Sequence, residues 1–150
     1  MSRMLNDIVS QCLMPLSAAA LYYLLIDNVI VANKADGTSM EPTISDTSSL
    51  ICLKLPYKIF GKRVKKGDII IAQSPVKPDV DICKRVLYTE GEQVNRIIVP
   101  PNHVWIEGDN KDNSFDSRDH GPLPEYLIKG KVLIQLYPFK FLYSEEYSQK

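Results

Sequence analysis

Residues 95–110 read NRIIVPPNHVWIEGDN. Two short runs rich in β-branched and aromatic residues flank Pro100, Pro101 and Asn102. Proline has no N–H to give a helix or a ladder, and Pro-Pro-Asn is a turn signal. The stretch therefore predicts strand, turn, strand. The same pattern extends outward. Upstream, ICKRVLY (82–88) alternates and ends in the turn TEGE, and GDIIIAQSP (67–75) is bounded by turn residues. Further upstream, SSLICLKL (48–55) is rich in strand formers and NVIVA (28–32) is a short apolar run. Downstream, YLIKGKVLIQLYP (126–138) reads as one long strand or two short ones around Gly130. Ten prolines and seven glycines punctuate these runs, with no fixed-period repeat and no second long helical pattern. The expectation is a mainly β domain of several short strands. Residues 56–66 and 75–81 are expected to be mobile loops, and SEEYSQK (144–150) a frayed end.

A chain of 150 residues suits one domain with a sizeable core. Eighteen basic and eighteen acidic residues give no net charge, so nothing argues for a nucleic-acid partner. The one dense basic run, KRVKK (62–66), reads as a solvated turn before Gly67 and Asp68. Three cysteines without CxxC spacing argue against a disulfide framework or a zinc site. His103 and His120 have no adjacent cysteine and read as turn or strand-face residues. No metal or cofactor is expected.

Ahead of the strands, IVSQCLMPLSAAALYYLLI (8–26) runs for 19 residues without a formal charge. As a helix it would span roughly 28 Å, close to a bilayer's hydrocarbon core. Ser10, Gln11 and Pro15 weaken its first half, and Tyr22 and Tyr23 lie near its other end, where interfacial aromatics are common. The preferred reading is a single membrane anchor over residues 1–28 ahead of a β-rich domain over 29–150. The alternative is a buried core helix. A cleavable secretory signal is disfavoured, because Asn6 and Asp7 stand where a basic region belongs.

Three separated stretches carry chemistry. GTSMEPTI (37–44) holds Ser39, which as a nucleophile needs a base. In DICKRV, alternation puts Lys84 on one face with Ile82 and Val86, and Cys83 with Arg85 on the other. If Ile82 and Val86 face inward, Lys84 does too, and burial lowers its pKa toward the neutral amine a general base needs. The alternative has Arg85 inward and Lys84 in water. A second possible base is His103, which with Asp109 would imitate a Ser-His-Asp set, although the preceding Pro-Pro-Asn favours a turn position. GDNKDNSFDSRD (108–119) is dense in short polar side chains that bond local backbone, so it reads as a structured loop. Lys111 at the third position from Asp109 rules out a calcium loop. Asp116 and Arg118, two apart, would lie on one side of an extended segment and could form a bidentate pair.

Taken in order, GTSMEPTI, DICKRV and GDNKDNSFDSRDHG resemble the boxes of the type I signal peptidase family, with most likeness to its mitochondrial inner-membrane branch. The resemblance covers about residues 37–138 and, loosely, the apolar N-terminal run. It implies a largely antiparallel, barrel-like β domain tied to the membrane. It implies Ser39 as nucleophile and Lys84 as general base. Met40 matches a residue lining the pocket for the substrate's small side chain. Ser114 matches a serine whose hydroxyl steadies the lysine, Asp116 and Arg118 a structural ion pair, and Asp109 a carboxylate that holds the loop. Some members carry a serine two residues before the nucleophile whose hydroxyl completes the oxyanion hole; here that position is Gly37. Gly37's own backbone N–H is then a candidate donor, whereas Thr38 should point to the opposite side of an extended chain.

The implied activity is a Ser-Lys endopeptidase that removes hydrophobic N-terminal sorting presequences from precursor proteins. The expected setting is the mitochondrial inner membrane, with the catalytic domain facing the intermembrane space and a second protease subunit as heterodimer partner. Competing readings are a bacterial-type plasma-membrane signal peptidase, a catalytically impaired partner subunit, and a self-cleaving repressor-type protease. The last would need a DNA-binding domain, and the residues before Gly37 are apolar rather than helix-turn-helix-like.

Overall fold

A computed structural model describes residues 13–22, 30–34, 37–53 and 64–142. Within it, ten strands account for nearly all regular structure: β1 (Ile30–Lys34), β2 (Ser49–Leu53), β3 (Ile69–Gln73), β4 (Asp81–Tyr88), β5 (Gln93–Val94), β6 (Ile97–Ile98), β7 (His103–Glu107), β8 (Leu123–Pro124), β9 (Ile128–Gln135) and β10 (Lys140–Phe141). The main sheet runs β1-β2-β9-β3-β4-β7-β8, with β10 also on β9, and every pairing is antiparallel. Among the described residues no pairing joins β1 to β8. The stretch 95–110 folds as its prolines dictate: β6, a turn through Asn102 at φ 58°, then β7. The run around Gly130 is one strand, β9, and the bulges at Ile51/Cys52, Ile71/Ala72 and Val86/Tyr88 bend the sheet.

Both faces of the sheet are covered, which explains why IIIA in β3 shows no alternation. Ile69 and Ile71 pack with Met40, Ile44, Leu50 and Cys52 on one face. Ile70 and Ala72 pack with Val86, Val104 and Ile106 on the other. Strand β4 is shared between them: Cys83 abuts the first cluster, Ile82 and Val86 the second. A smaller cluster of Val94, Val99 and Trp105 seats the β5–β6 hairpin.

Residues 13–22 form a helix whose side chains are all exposed, including Leu13, Met14 and Leu16. For these residues the buried-core alternative is not realised. No helix among the described residues is long and apolar enough to cross a membrane. The remainder of the run 8–26 lies outside the described residues, as do residues 54–63 and the C-terminal 143–150. Residues 75–81 form a bonded turn, with Val80 N donating to Lys77 O at 3.0 Å and Ser74 N to Val80 O at 2.8 Å.

Candidate active site

Residues 37–44 form a tight turn between β1 and β2, so Thr38 does not sit on the extended chain assumed for it. Glu41 N donates to Thr38 O at 3.2 Å and Ile44 N to Met40 O at 2.9 Å. Met40 and Ile44, at 3% and 1% exposure, nail the turn into the first core cluster. Met40 is thus packed into the core in this structure. Gly37 has φ +112°, a region that disfavours any side chain, so glycine suits the backbone there. Its N–H donates to Asp46 Oδ1 at 2.7 Å. That bond corrects the expectation that Gly37 could be a free oxyanion donor.

Alternation along β4 turns Lys84 inward with Val86, opposite Ile70 in the register. Lys84 is 5% exposed, and its Nζ lies 2.6 Å from Ser39 Oγ. At that separation the ammonium can donate to Oγ, and the neutral amine can accept the hydroxyl proton. Burial holds the Lys84 pKa below its ordinary value; Arg118 works in the same direction, while Cys83 and Asp116 oppose it. The neighbouring Cys83 thiol is pushed up to about 12, by burial first and then by Cys52, so it packs as a neutral hydrophobe.

The loop from Gly108 to Asp119 closes over the serine turn. Asn110 N donates to Ser39 O at 3.0 Å, and Asn110 Nδ2 to Thr38 O at 3.0 Å. Asn113 Nδ2 donates to Thr38 Oγ1. A Cβ on Gly108 would overlap the Ser114 side chain and sit 2.5 Å from Ser39 O, so only glycine lets the two segments touch. Behind this contact, Asp116 is fully buried. It accepts from Gly108 N at 2.9 Å, from the Ser114 hydroxyl at 2.7 Å, and from Arg118 Nε and Nη2 at 2.9 Å each. Burial alone would raise the Asp116 pKa, but these donors outweigh it and hold the carboxyl at about 2.

Several details differ from expectation. The Asp116–Arg118 pair forms, but not along an extended segment: Asp116 caps a one-turn helix, Ser117–His120, in a capping box with Asp119. The Ser114 hydroxyl donates to Asp116, and the one side-chain hydrogen bond of Lys84 among the described residues goes to Ser39. Ser114 therefore bears on the lysine through the carboxylate behind it. Asp109 is held by Arg85 in a bidentate pair at 2.8 and 2.7 Å, and Arg85 also reaches Gly67 O at 3.1 Å. His103 opens β7 with Nδ1 2.9 Å from Pro101 O. With Asp109 on Arg85, the His103–Asp109 couple does not assemble.

Arg85, Gly108, Asn110 and Asn113 carry roles in the site that the sequence pattern alone does not assign. Arg85 was visible as the residue opposite Lys84 on β4. The other three have contacts that exist only once residues some 70 apart in the chain meet, so local pattern carries no signal for them.

The family model described as signal peptidase, peptidase S26, matches residues 8–98 and 92–137. Mitochondrial inner membrane protease subunit 1 of Xenopus tropicalis is 46% identical over 114 residues, covering 69% of this chain and 67% of the relative. The Homo sapiens protein of that name is 40% identical over 112 residues, covering 68% and 66%. Mitochondrial inner membrane protease subunit 2 of Mus musculus is 34% identical over 123 residues, covering 75% and 70%.

Proposed function

The chain belongs to the signal peptidase S26 family and is a serine-type peptidase, and from that premise we propose that Ser39 and Lys84 form its catalytic dyad. The observation that carries this is the 2.6 Å approach of Nζ to Oγ by a lysine that is 5% exposed. Neutral Lys84 takes the Ser39 hydroxyl proton as Oγ attacks the scissile carbonyl. The Ser39 backbone N–H donates to the oxyanion. Lys84, now an ammonium, gives its proton to the leaving amine, and an acyl-Ser39 ester remains. Lys84 then deprotonates the water that hydrolyses it, a two-residue version of triad logic.

Asn110 and Asn113 fix the serine turn. Asp116, with Arg118, Ser114 and Gly108, fixes the loop that carries them. The substrates are precursors with hydrophobic N-terminal sorting presequences, cleaved at the mitochondrial inner membrane with the catalytic domain in the intermembrane space. Residues 1–28 anchor the β-rich domain over 29–150. The names of the relatives support the membrane, and the likeness to both subunit 1 and subunit 2 proteins supports assembly with a second subunit.

The test uses Ser39→Ala and Lys84→Arg in cells lacking the parent protein. Inner-membrane-sorted precursors should accumulate uncleaved with either variant, and a serine-directed acylating probe should label the parent but not Ser39→Ala. Normal processing by Ser39→Ala would end the proposal.

A further inference from the structure

A tetrahedral oxyanion needs more than one donor, and losing one costs about 10²–10³ in rate. The Ser39 N–H has no acceptor among the described residues and is one donor. Gly37 supplies no second: it has no side chain, and its N–H is 2.7 Å from Asp46 Oδ1. We propose that the Thr38 hydroxyl is the second oxyanion donor, oriented by Asn113. The inference rests on Ser39 being the nucleophile.

Covalent geometry favours it. Only Cβ, Cα and the carbonyl carbon separate Thr38 Oγ1 from the Ser39 nitrogen, so the two N–H and O–H donors can converge on one oxygen. A hydroxyl has one proton and two lone pairs. Asn113 Nδ2 donates to Thr38 Oγ1 and fills a lone pair, which leaves the proton free to be given elsewhere. That incoming bond also polarises the O–H and makes it a better donor. The peptide joining Thr38 to Ser39 is clamped on both sides. Thr38 O accepts from Asn110 Nδ2 at 3.0 Å and from Glu41 N at 3.2 Å, and Ser39 O accepts from Asn110 N at 3.0 Å. Donors held this way need no reorganisation as charge develops, which is the condition for electrostatic catalysis. Thr38 is half-buried, so its hydroxyl is held yet remains within reach of an approaching substrate.

The experiment compares Thr38→Val, Thr38→Ser, Asn113→Ala and the Thr38→Val/Asn113→Ala pair in the full chain. A precursor-derived peptide serves as substrate, and a peptide aldehyde that forms a tetrahedral adduct serves as inhibitor. Thr38→Val should lower kcat by about 10²–10³, with KM within about threefold, and weaken the aldehyde in parallel. Thr38→Ser should recover most of that loss. Asn113→Ala should lower kcat less, and the pair should be no slower than Thr38→Val alone. A kcat within about threefold of the parent in Thr38→Val overturns the proposal, as does a Thr38→Ser as slow as the valine variant. Melting curves verify folding, and Thr38→Ala replaces valine if the added methyl disturbs the turn. Ser39→Ala run alongside separates the two readings: if it cleaves like the parent, the nucleophile assignment is at fault rather than Thr38.

Discussion

Lys84 shows how one side chain can be positioned by pattern and given its chemistry by packing. Alternation grouped it with Ile82 and Val86 but left open which face of the strand is inward; packing turned that face into the core, and burial depresses the Lys84 pKa. The sign follows: below its folded pKa the amine is an ammonium and cannot accept the Ser39 proton. A pH profile of kcat/KM should therefore rise on an acid limb set by Lys84, below the ordinary lysine range. Lys84→Arg should lose about 10²–10⁴ in kcat/KM and recover at no pH, because guanidinium does not deprotonate. Gly108 belongs to the same scale. Gly108→Ala should cost about 1–3 kcal/mol in denaturant melts and lower kcat, since its methyl meets the Ser114 side chain and the Ser39 carbonyl.

Among the elements, the loop from Gly108 to Asp119 was legible as structured and rich in turn formers, but its mechanism was not. The i, i+2 spacing of Asp116 and Arg118 suggested an extended pair. The chain instead turns into a helix at Ser117, and the carboxylate doubles as its N-cap, accepting from Arg118 N at 3.2 Å. A folded pKa of about 2 against an ordinary 3.8 means stability that is present above about pH 4 and lost as pH falls through about 2. Its size is about 2 kcal/mol. Melts of the parent should show that acid loss; Asp116→Asn should be less stable at neutral pH, with the acid slope flattened. The turn at 37–44, where Thr38 was expected on an extended chain, follows a related logic. Its shape comes from Met40 and Ile44 entering the core and from the Gly37–Asp46 bond, and neither is visible to strand periodicity.

Across the whole molecule, the core and the site are coupled through the register. Ile70 is fully buried and stands opposite Lys84 between β3 and β4. Ile70→Ala should cost about 2–5 kcal/mol in a denaturant melt. It should also admit water beside the amine and relieve the desolvation that lowers its pKa, so the acid limb of the pH profile should move to higher pH. A limb that stays in place while stability falls would show that Ile70 does not help desolvate the lysine.

By itself the sequence determined the β class, the strand runs, the grouping of Lys84 with Ile82 and Val86 on one face of β4, and the order of the three boxes. Each is a local property, written in side-chain periodicity, proline and glycine placement, or a short contiguous motif. Only the tertiary structure decided that the serine segment is a turn, that the Gly37 N–H is committed to Asp46, that Arg85 holds Asp109, and that Asn110 and Asn113 grip Thr38 and Ser39. The Arg85–Asp109 pair and the Asn110 and Asn113 bonds join residues 24 to 75 apart in the chain, while the Gly37–Asp46 bond, though local, depends on how the turn is seated in the core. Whether they form depends on which atoms meet when both faces of the sheet are packed, which no single stretch of sequence specifies.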